Sequence, residues 1–160
     1  METIIEKNIS FRKLIETDKI LFVNLRMAYL TEEYKISEIE KKQIENNLES
    51  YFDEHMLKKD FIGIICEYNG KIISVAYLIL SEKPPNPNFI NGKTGTLMNV
   101  YTYPEYRKKG IATKLIMEII KEAKNINVKI INLEATNAGI KLYEKIGFKE
   151  SEYKSMSIKI

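Results

Sequence analysis

The stretch NVYTYPEYRKKGIATKLIMEII, Asn99 to Ile120, decides how this chain is read. From Gly110 it has the spacing of an amphipathic helix running to about Ala123. Ile111, Ala112, Leu115, Ile116, Ile119, Ile120 and Ala123 fall on one side, and Lys114, Glu118, Lys121 and Glu122 on the other. A helix start carries roughly half a positive charge and several unpaired N–H groups, so sequences usually place Ser, Thr, Asp or Asn at the cap and acids in the first turn. Here Arg107, Lys108 and Lys109 stand immediately upstream instead. The conflict resolves if an anion binds: backbone N–H groups of the loop and first turn can cradle phosphate oxygens, Gly110 allows close approach, and the cations add charge. The plainer alternative is that the three cations are solvated and point away.

On either side of this helix, Thr94 to Thr102 and Val128 to Leu133 read as strands, expected to be parallel neighbours with a right-handed crossover. Upstream, the apolar β-branched runs Phe61 to Tyr68 and Lys71 to Leu80 are separated by Asn69-Gly70, a pair suited to a type I′ hairpin turn. Asn8 to Ile15 predicts a first strand, and Thr17 or Asp18 is placed to cap a helix to about Leu30. SEIE, Ser37 to Glu40, is a capping box opening a second helix with Ile44, Leu48, Tyr51 and His55 at helical spacing. SEKPPNPNFINGK, Ser81 to Lys93, holds three prolines and predicts a long, mobile surface loop. Asn137 is expected to cap a short helix closed by Gly147, and FKESEY and MSIKI to finish as two strands. The order βααβββαβαββ implies one mixed sheet in a single domain spanning residues 1–160.

Composition bounds the function. With 44% apolar and 29% charged residues the chain is ordinary for a soluble globular protein, and apolar runs such as Phe61 to Cys66 are too short to span a bilayer, so no membrane partner is expected. METIIEKNISF lacks the features of a secretory signal and the single Cys66 can form no intrachain disulfide, which points to the cytoplasm. A net charge of +3 is too small to argue for nucleic acid, although acids dominate from Thr31 to Met56 and cations from Arg107 to Lys124. Tyr101, Tyr103 and Tyr106 flank the basic loop as a stacking surface for single-stranded nucleic acid would, but no nucleic-acid motif accompanies them. His55 is the only histidine, so His-based catalytic or metal sites have little to build on and no metal is expected; Cys66 reads as a buried, inert side chain.

There is no G-x-x-x-x-G-K-[ST] and no G-x-G-x-x-G, which removes the P-loop and Rossmann phosphate sites. RKKGIA after NVYTYPEY resembles the R/Q-x-x-G-x-G/A signature of the GNAT superfamily of acyl-CoA-dependent N-acyltransferases, and the match continues through TKLIMEIIKEA. NAGIKLYEKIGFKE, Asn137 to Glu150, resembles that family's later block, with an Asn, a Tyr six residues on and a closing Gly-Phe. The likeness is strongest from Thr94 to Phe148 and weakest before Asp60. It implies an α/β fold with one mixed, mostly antiparallel sheet of about seven strands, a parallel splayed central pair, and about four flanking helices.

The resemblance further implies N-acetyl transfer from acetyl-CoA. Backbone groups of Val100, Tyr101 and Thr102 would meet the pantetheine arm; Arg107 and the amides of Lys108, Lys109, Gly110, Ile111, Ala112 and Thr113 would hold the pyrophosphate; Asn137 would orient the pantetheine end. Tyr143 would stand as the acid facing the thioester sulfur. Several family members have a carboxylate base on the strand before the loop, but Thr96 to Tyr101 include none; Glu134 is the remaining candidate, with Glu32 and Glu33 next as groups that attract an amine. No nucleophile for a covalent intermediate stands out, so direct attack by a primary amine in a ternary complex is expected, with a small-molecule or peptide acceptor. The acidic first helices and the Pro-rich loop would border the acceptor. Family members often dimerise, which allows a homodimer. The missing base leaves a second reading open, a non-catalytic sensor of CoA or a phosphorylated ligand.

Overall fold

The computed structural model describes residues 8–160; residues 1–7, part of the segment read above for a secretory signal, lie outside that range. Strand β1 (Ile9–Lys13) leads through a 3-10 turn at Glu16–Asp18 into α1 (Lys19–Glu33) and α2 (Glu38–Lys58). The hairpin β2 (Phe61–Tyr68) and β3 (Lys71–Glu82) follows, then β4 (Lys93–Thr102), a 3-10 turn at Pro104–Tyr106, α3 (Ile111–Asn125), β5 (Ile130–Asn132) and α4 (Ile140–Ile146). The strands form one sheet in the order β1-β2-β3-β4-β5, antiparallel except where β4 and β5 run parallel.

Local chemistry accounts for most of these elements. Asn69 and Gly70 both have positive φ, 50° and 74°, as a type I′ turn requires, and Tyr68 pairs with Lys71 across it. At the start of α2, Ser37 Oγ accepts from the Glu40 amide at 3.3 Å while the Ser37 amide donates to Glu40 Oε2 at 2.9 Å. Asp18 stands at the α1 cap position but makes no cap bond. Its carboxylate instead accepts from the Ile15 amide at 2.9 Å and from Arg12 at 2.7 Å, tying β1 to the helix entry.

The sheet is covered on both faces. Alternate strand residues feed two cores: Phe61, Ile65, Val75 and Tyr77 pack with Phe22, Leu25 and Phe52 of α1 and α2, whereas Ile64, Cys66, Ala76, Leu78 and Leu97 pack with Ile111, Leu115, Ile116 and Ile119 of α3. The expected apolar face of α3 is therefore the buried one.

The two features that open a site both involve β4. Val75 pairs with Tyr101 but Tyr77 with Met98, so β4 carries one residue more than β3 across this interval, a bulge at which Asn99 takes φ 53°. Asn tolerates that left-handed conformation better than most side chains. Beyond it, β4 has no partner on its other side, because the parallel ladder with β5 covers only Thr94 to Thr96 against Ile130 to Asn132. The two strands then separate.

Three expectations need correction. The sheet has five strands among the described residues rather than about seven: residues 149–160 make no backbone–backbone hydrogen bond and stay exposed, and a strand without a paired edge is not a strand. Asn137 does not cap α4; a turn in which the Gly139 and Ile140 amides donate to Thr136 O precedes it, and Gly139 is the cap residue, while Gly147 closes the helix at φ 112° as expected. The Pro-rich segment is a hydrogen-bonded turn, with Lys83 N donating to Gly92 O at 2.9 Å and Asn86 Oδ1 accepting from Asn88 and Phe89. Asn91 Nδ2 fastens it to Asn127 O, just past the C-terminal end of α3, about 22 Å of helix away from the Gly110 end. It borders no part of the cleft described next.

Candidate active site

Between the free end of β4 and the start of α4 lies a cleft of about 470 Å³, floored by Val100, Tyr101 and Thr102 and closed at one end by the N-terminus of α3. Gly110 is the helix cap residue at φ 74°, and Lys108 also takes positive φ, 60°, so two left-handed residues curl the basic loop around the helix start. No side chain caps α3 and no acid lies in its first turn. The amides of Ile111, Ala112 and Thr113 find no acceptor among the described residues, and all three residues line the cleft. Unpaired donors, the positive end of a helix dipole and adjacent cations give this end of the cleft a positive potential of the kind that suits an anion.

Arg107 is placed differently from the solvated cation of the plainer reading. Its Nε donates to Thr102 O at 2.8 Å, its Nη2 to Glu32 Oε2 at 2.7 Å, and its guanidinium lies over the Tyr101 ring at 5.6 Å. It thus latches the loop to β4 and to the end of α1. The hydrogen bond from Arg107 holds the Glu32 carboxyl below the usual carboxylate range. Tyr143, on α4, faces the cleft with its ring edge-on to Phe148 at 5.8 Å. Burial pushes its hydroxyl above the ordinary phenol range, so it stays protonated at neutral pH.

The cleft brings together Val100, Tyr101, Thr102, Arg107, Lys108, Gly110, Ile111, Ala112, Thr113 and Tyr143 from the expected set. Lys109 is not among its walls: its Nζ donates to Glu105 O at 2.7 Å and lies over the Tyr106 ring. Asn137 is exposed beside the lining residues Thr136 and Ala138, and Glu134 is exposed and outside the lining. Glu32 and Glu33 do line it.

Sequence reasoning missed three contributors. Tyr29 lines the cleft from α1. Gly139 keeps Tyr143 in place, since a Cβ there would lie 3.0 Å from Tyr143 Cε2. Asn99, at the bulge, accepts from Arg26 Nη1 at 3.0 Å beside a second cavity of about 440 Å³ lined by Arg26, Tyr51, Thr96 and Met98. The Asn at a strand interior was the one available signal of the bulge.

The Acetyltransferase (GNAT) family model matches residues 23–148, which hold most of both cores, the bulge and the whole cleft. The chain belongs to that family. It is therefore an acyltransferase with the GNAT fold, and the sheet that splays between β4 and β5 is that fold's sheet. An N-alpha-acetyltransferase of Sulfurisphaera tokodaii is 28% identical over 137 residues, 79% of this chain and 80% of the relative. An N-alpha-acetyltransferase of Saccharolobus solfataricus is likewise 28% identical, covering 86% and 87% of the two chains. Among solved structures, a predicted acetyltransferase with acetyl-CoA from Clostridium acetobutylicum superposes with a TM-score of 0.83 at 30% identity, covering 93% of this GNAT chain and 96% of the other.

Proposed function

We propose that the chain transfers an acetyl group from acetyl-CoA to a primary amine by direct attack in a ternary complex. The observation that carries this reading is the uncapped start of α3 at the mouth of the gap between β4 and β5. A diphosphate would satisfy the amides of Ile111, Ala112 and Thr113, and the extended arm behind it would pair with the unpartnered backbone of Val100 to Thr102. Tyr143 would give its proton to the departing thiolate, for which a phenol kept neutral by burial is suited. Arg107 serves this site through its latch on Glu32 and Thr102.

The acceptor must lose a proton, and β4 offers no carboxylate to take it. A lysine-like amine with pKa near 10.4 costs about 4–5 kcal/mol to deprotonate at neutral pH, whereas an α-amine near 7.7–8.0 costs only about 1 kcal/mol. The absence of a base on β4 therefore favours a terminal α-amine, the acceptor type that the names of the two archaeal relatives also suggest. Glu33 at the cleft wall would attract the ammonium form, and water would carry the proton away, with Glu134 reachable only through solvent.

The test combines binding and turnover. Acetyl-CoA and CoA should both raise the melting temperature more than ATP does, and thiol release should appear with peptide α-amines before polyamines, aminoglycosides or lysine side chains. Tyr143→Phe should lose turnover and keep CoA affinity. Stabilisation by CoA with no turnover on any amine would establish the sensor reading, and no stabilisation would end the acetyl-CoA assignment.

A further inference from the structure

The layer of α1 and α2 leaves the middle of β4 uncovered. Tyr77 on β3 is 2% exposed in the core beneath these helices, but Met98, its partner across the ladder, is 38% exposed. Thr96, two residues along the same face of β4, is exposed as well. At this margin lies the second cavity, about 440 Å³, with Phe22 and Tyr51 of the helices and Phe61 and Tyr77 of the sheet as aromatic walls. Its size falls in the range of roughly 300–1,000 Å³ typical of pockets that hold small ligands. Such walls suit a large apolar side chain, and the one charged residue among them is Arg26.

Arg26 differs from the other two arginines of the chain. Arg12 pairs with Asp18 and Glu67, and Arg107 with Glu32, whereas Arg26 has no carboxylate partner among the described residues. Its Nη1 donates to Asn99 Oδ1 at 3.0 Å, and its guanidinium lies 5.4 Å from the centre of the Tyr29 ring. Tyr29 lines the first cleft and Asn99 adjoins Val100 in its floor, so Arg26 stands where the two cavities meet. The Nδ2 of Asn99 is buried at the same corner without an acceptor. Donors are in excess there, and a half-buried guanidinium in aromatic surroundings is costly until an anion meets it.

We propose that the second cavity receives the first side chain of a peptide acceptor and that Arg26 receives the carboxylate of its second residue. The enzyme then selects N-termini that begin with a large apolar or aromatic residue followed by Asp or Glu. This inference rests on the acetyl-CoA reading, in which an arm anchored at Ile111 to Thr113 and paired with Thr102 to Val100 ends beside Asn99, where the amine must arrive. An α-amine at Asn99 brings its own side chain to the cavity at Thr96 and Met98. Its second residue comes within reach of the guanidinium that already touches Asn99. A cation at either of these two positions meets Arg26 as a like charge, and no acid in the cavity wall offsets it.

Thiol release at saturating acetyl-CoA, measured on otherwise identical peptides, separates the two determinants. Peptides starting Phe-Asp or Met-Asp should exceed Ser-Asp by roughly 10- to 100-fold in kcat/KM. Phe-Asp should exceed Phe-Lys by on the order of 10-fold. Arg26→Gln should make Phe-Asp and Phe-Lys equivalent, and Arg26→Glu should make Phe-Lys the better acceptor. The order of two rates on one enzyme does not depend on how much of it is folded, so a merely structural role for Arg26 lowers both rates and reverses nothing. Met98→Trp, which fills the cavity at its exposed side, should erase the advantage of Phe over Ser and keep that of Asp over Lys. Equal rates on all the peptides, or a preference for Asp that survives both Arg26 variants, would overturn the inference and leave acetyl transfer to an α-amine standing. Turnover of polyamines or aminoglycosides with none on any peptide would overturn the α-amine acceptor and this inference together, and no stabilisation by CoA would remove the acetyl-CoA reading on which both rest.

Discussion

Placing an acid where α3 has none should have opposite effects on the empty and the loaded protein. Thr113 is the third residue of α3 and lines the cleft, and Thr113→Asp puts a carboxylate beside the unpaired first-turn amides. In the empty protein that charge complements the helix dipole and is worth about 0.3–1 kcal/mol, a rise of on the order of 1–3 °C for a chain of this size. With a diphosphate in the cradle the same carboxylate stands about 6 Å from like charge, which at an effective dielectric near 20 costs roughly 3 kcal/mol and weakens binding on the order of 100-fold. Thermal unfolding without ligand gives the first quantity and calorimetric titration with CoA the second, with Thr113→Val as the control that removes only the hydroxyl. Higher stability with weaker CoA binding is expected. Unchanged CoA affinity in Thr113→Asp would refute the idea that the start of α3 is left uncapped for an anion.

Three further outcomes can be measured on the same protein. Glu32→Gln removes a half-exposed ion pair, so stability should fall by less than about 1 kcal/mol, while CoA binding should tighten a few-fold because a negative charge leaves the cleft wall; titrations at low and high salt separate the two effects. Gly139→Ala pushes a Cβ against the Tyr143 ring, so kcat should drop with CoA affinity kept, and an unchanged kcat would remove Tyr143 from the chemistry. Burial pushes the Cys66 thiol up from 9.0 to about 12, so the native state binds its proton more tightly than the unfolded one; stability contributed by this group is present below pH 9 and is lost as pH rises towards 12. Correspondingly, an alkylating reagent at pH 8 should label Cys66 only once the protein is unfolded.

The parts of this molecule that were legible in the sequence are those set by local chemistry or by periodicity. Asn69-Gly70, the Ser37 and Glu40 pair and the apolar stripe of α3 each act within a few residues, and each formed where expected. The basic loop was legible for the same reason: a missing cap is a local fact. Contacts between distant segments were not. Nothing in the run RKKG says that Arg107 will meet Glu32, 75 residues earlier, or that the Tyr143 ring will need a glycine beneath it. Alternation in FKESEY and MSIKI predicted two strands that do not form, because pairing depends on an edge within reach, which alternation does not encode.

The uncapped helix raises the question of how α3 tolerates a first turn whose amides have no partner. A missing N-cap costs a helix about 0.5–2 kcal/mol, and cations upstream add to that. Against it stand Ile111, Leu115, Ile116 and Ile119, each no more than 1% exposed, whose burial is worth roughly 1.5–3 kcal/mol apiece. The first of them is the first residue of the helix, so the packing grips α3 at the very turn whose amides are left unpaired. Arg107 holds the preceding loop from the other side through Thr102 and Glu32. Rigid placement therefore comes from the apolar face and the latch, and the polar groups of the first turn are released from structural duty. That division also explains why an uncapped start is tolerated on α3, which has more buried residues than any other helix among the described residues, whereas the short α4 has no fully buried residue and an exposed start. Donors aimed at a ligand keep their value only if the backbone that carries them does not relax to find other partners, and the buried face of α3 holds its backbone against that.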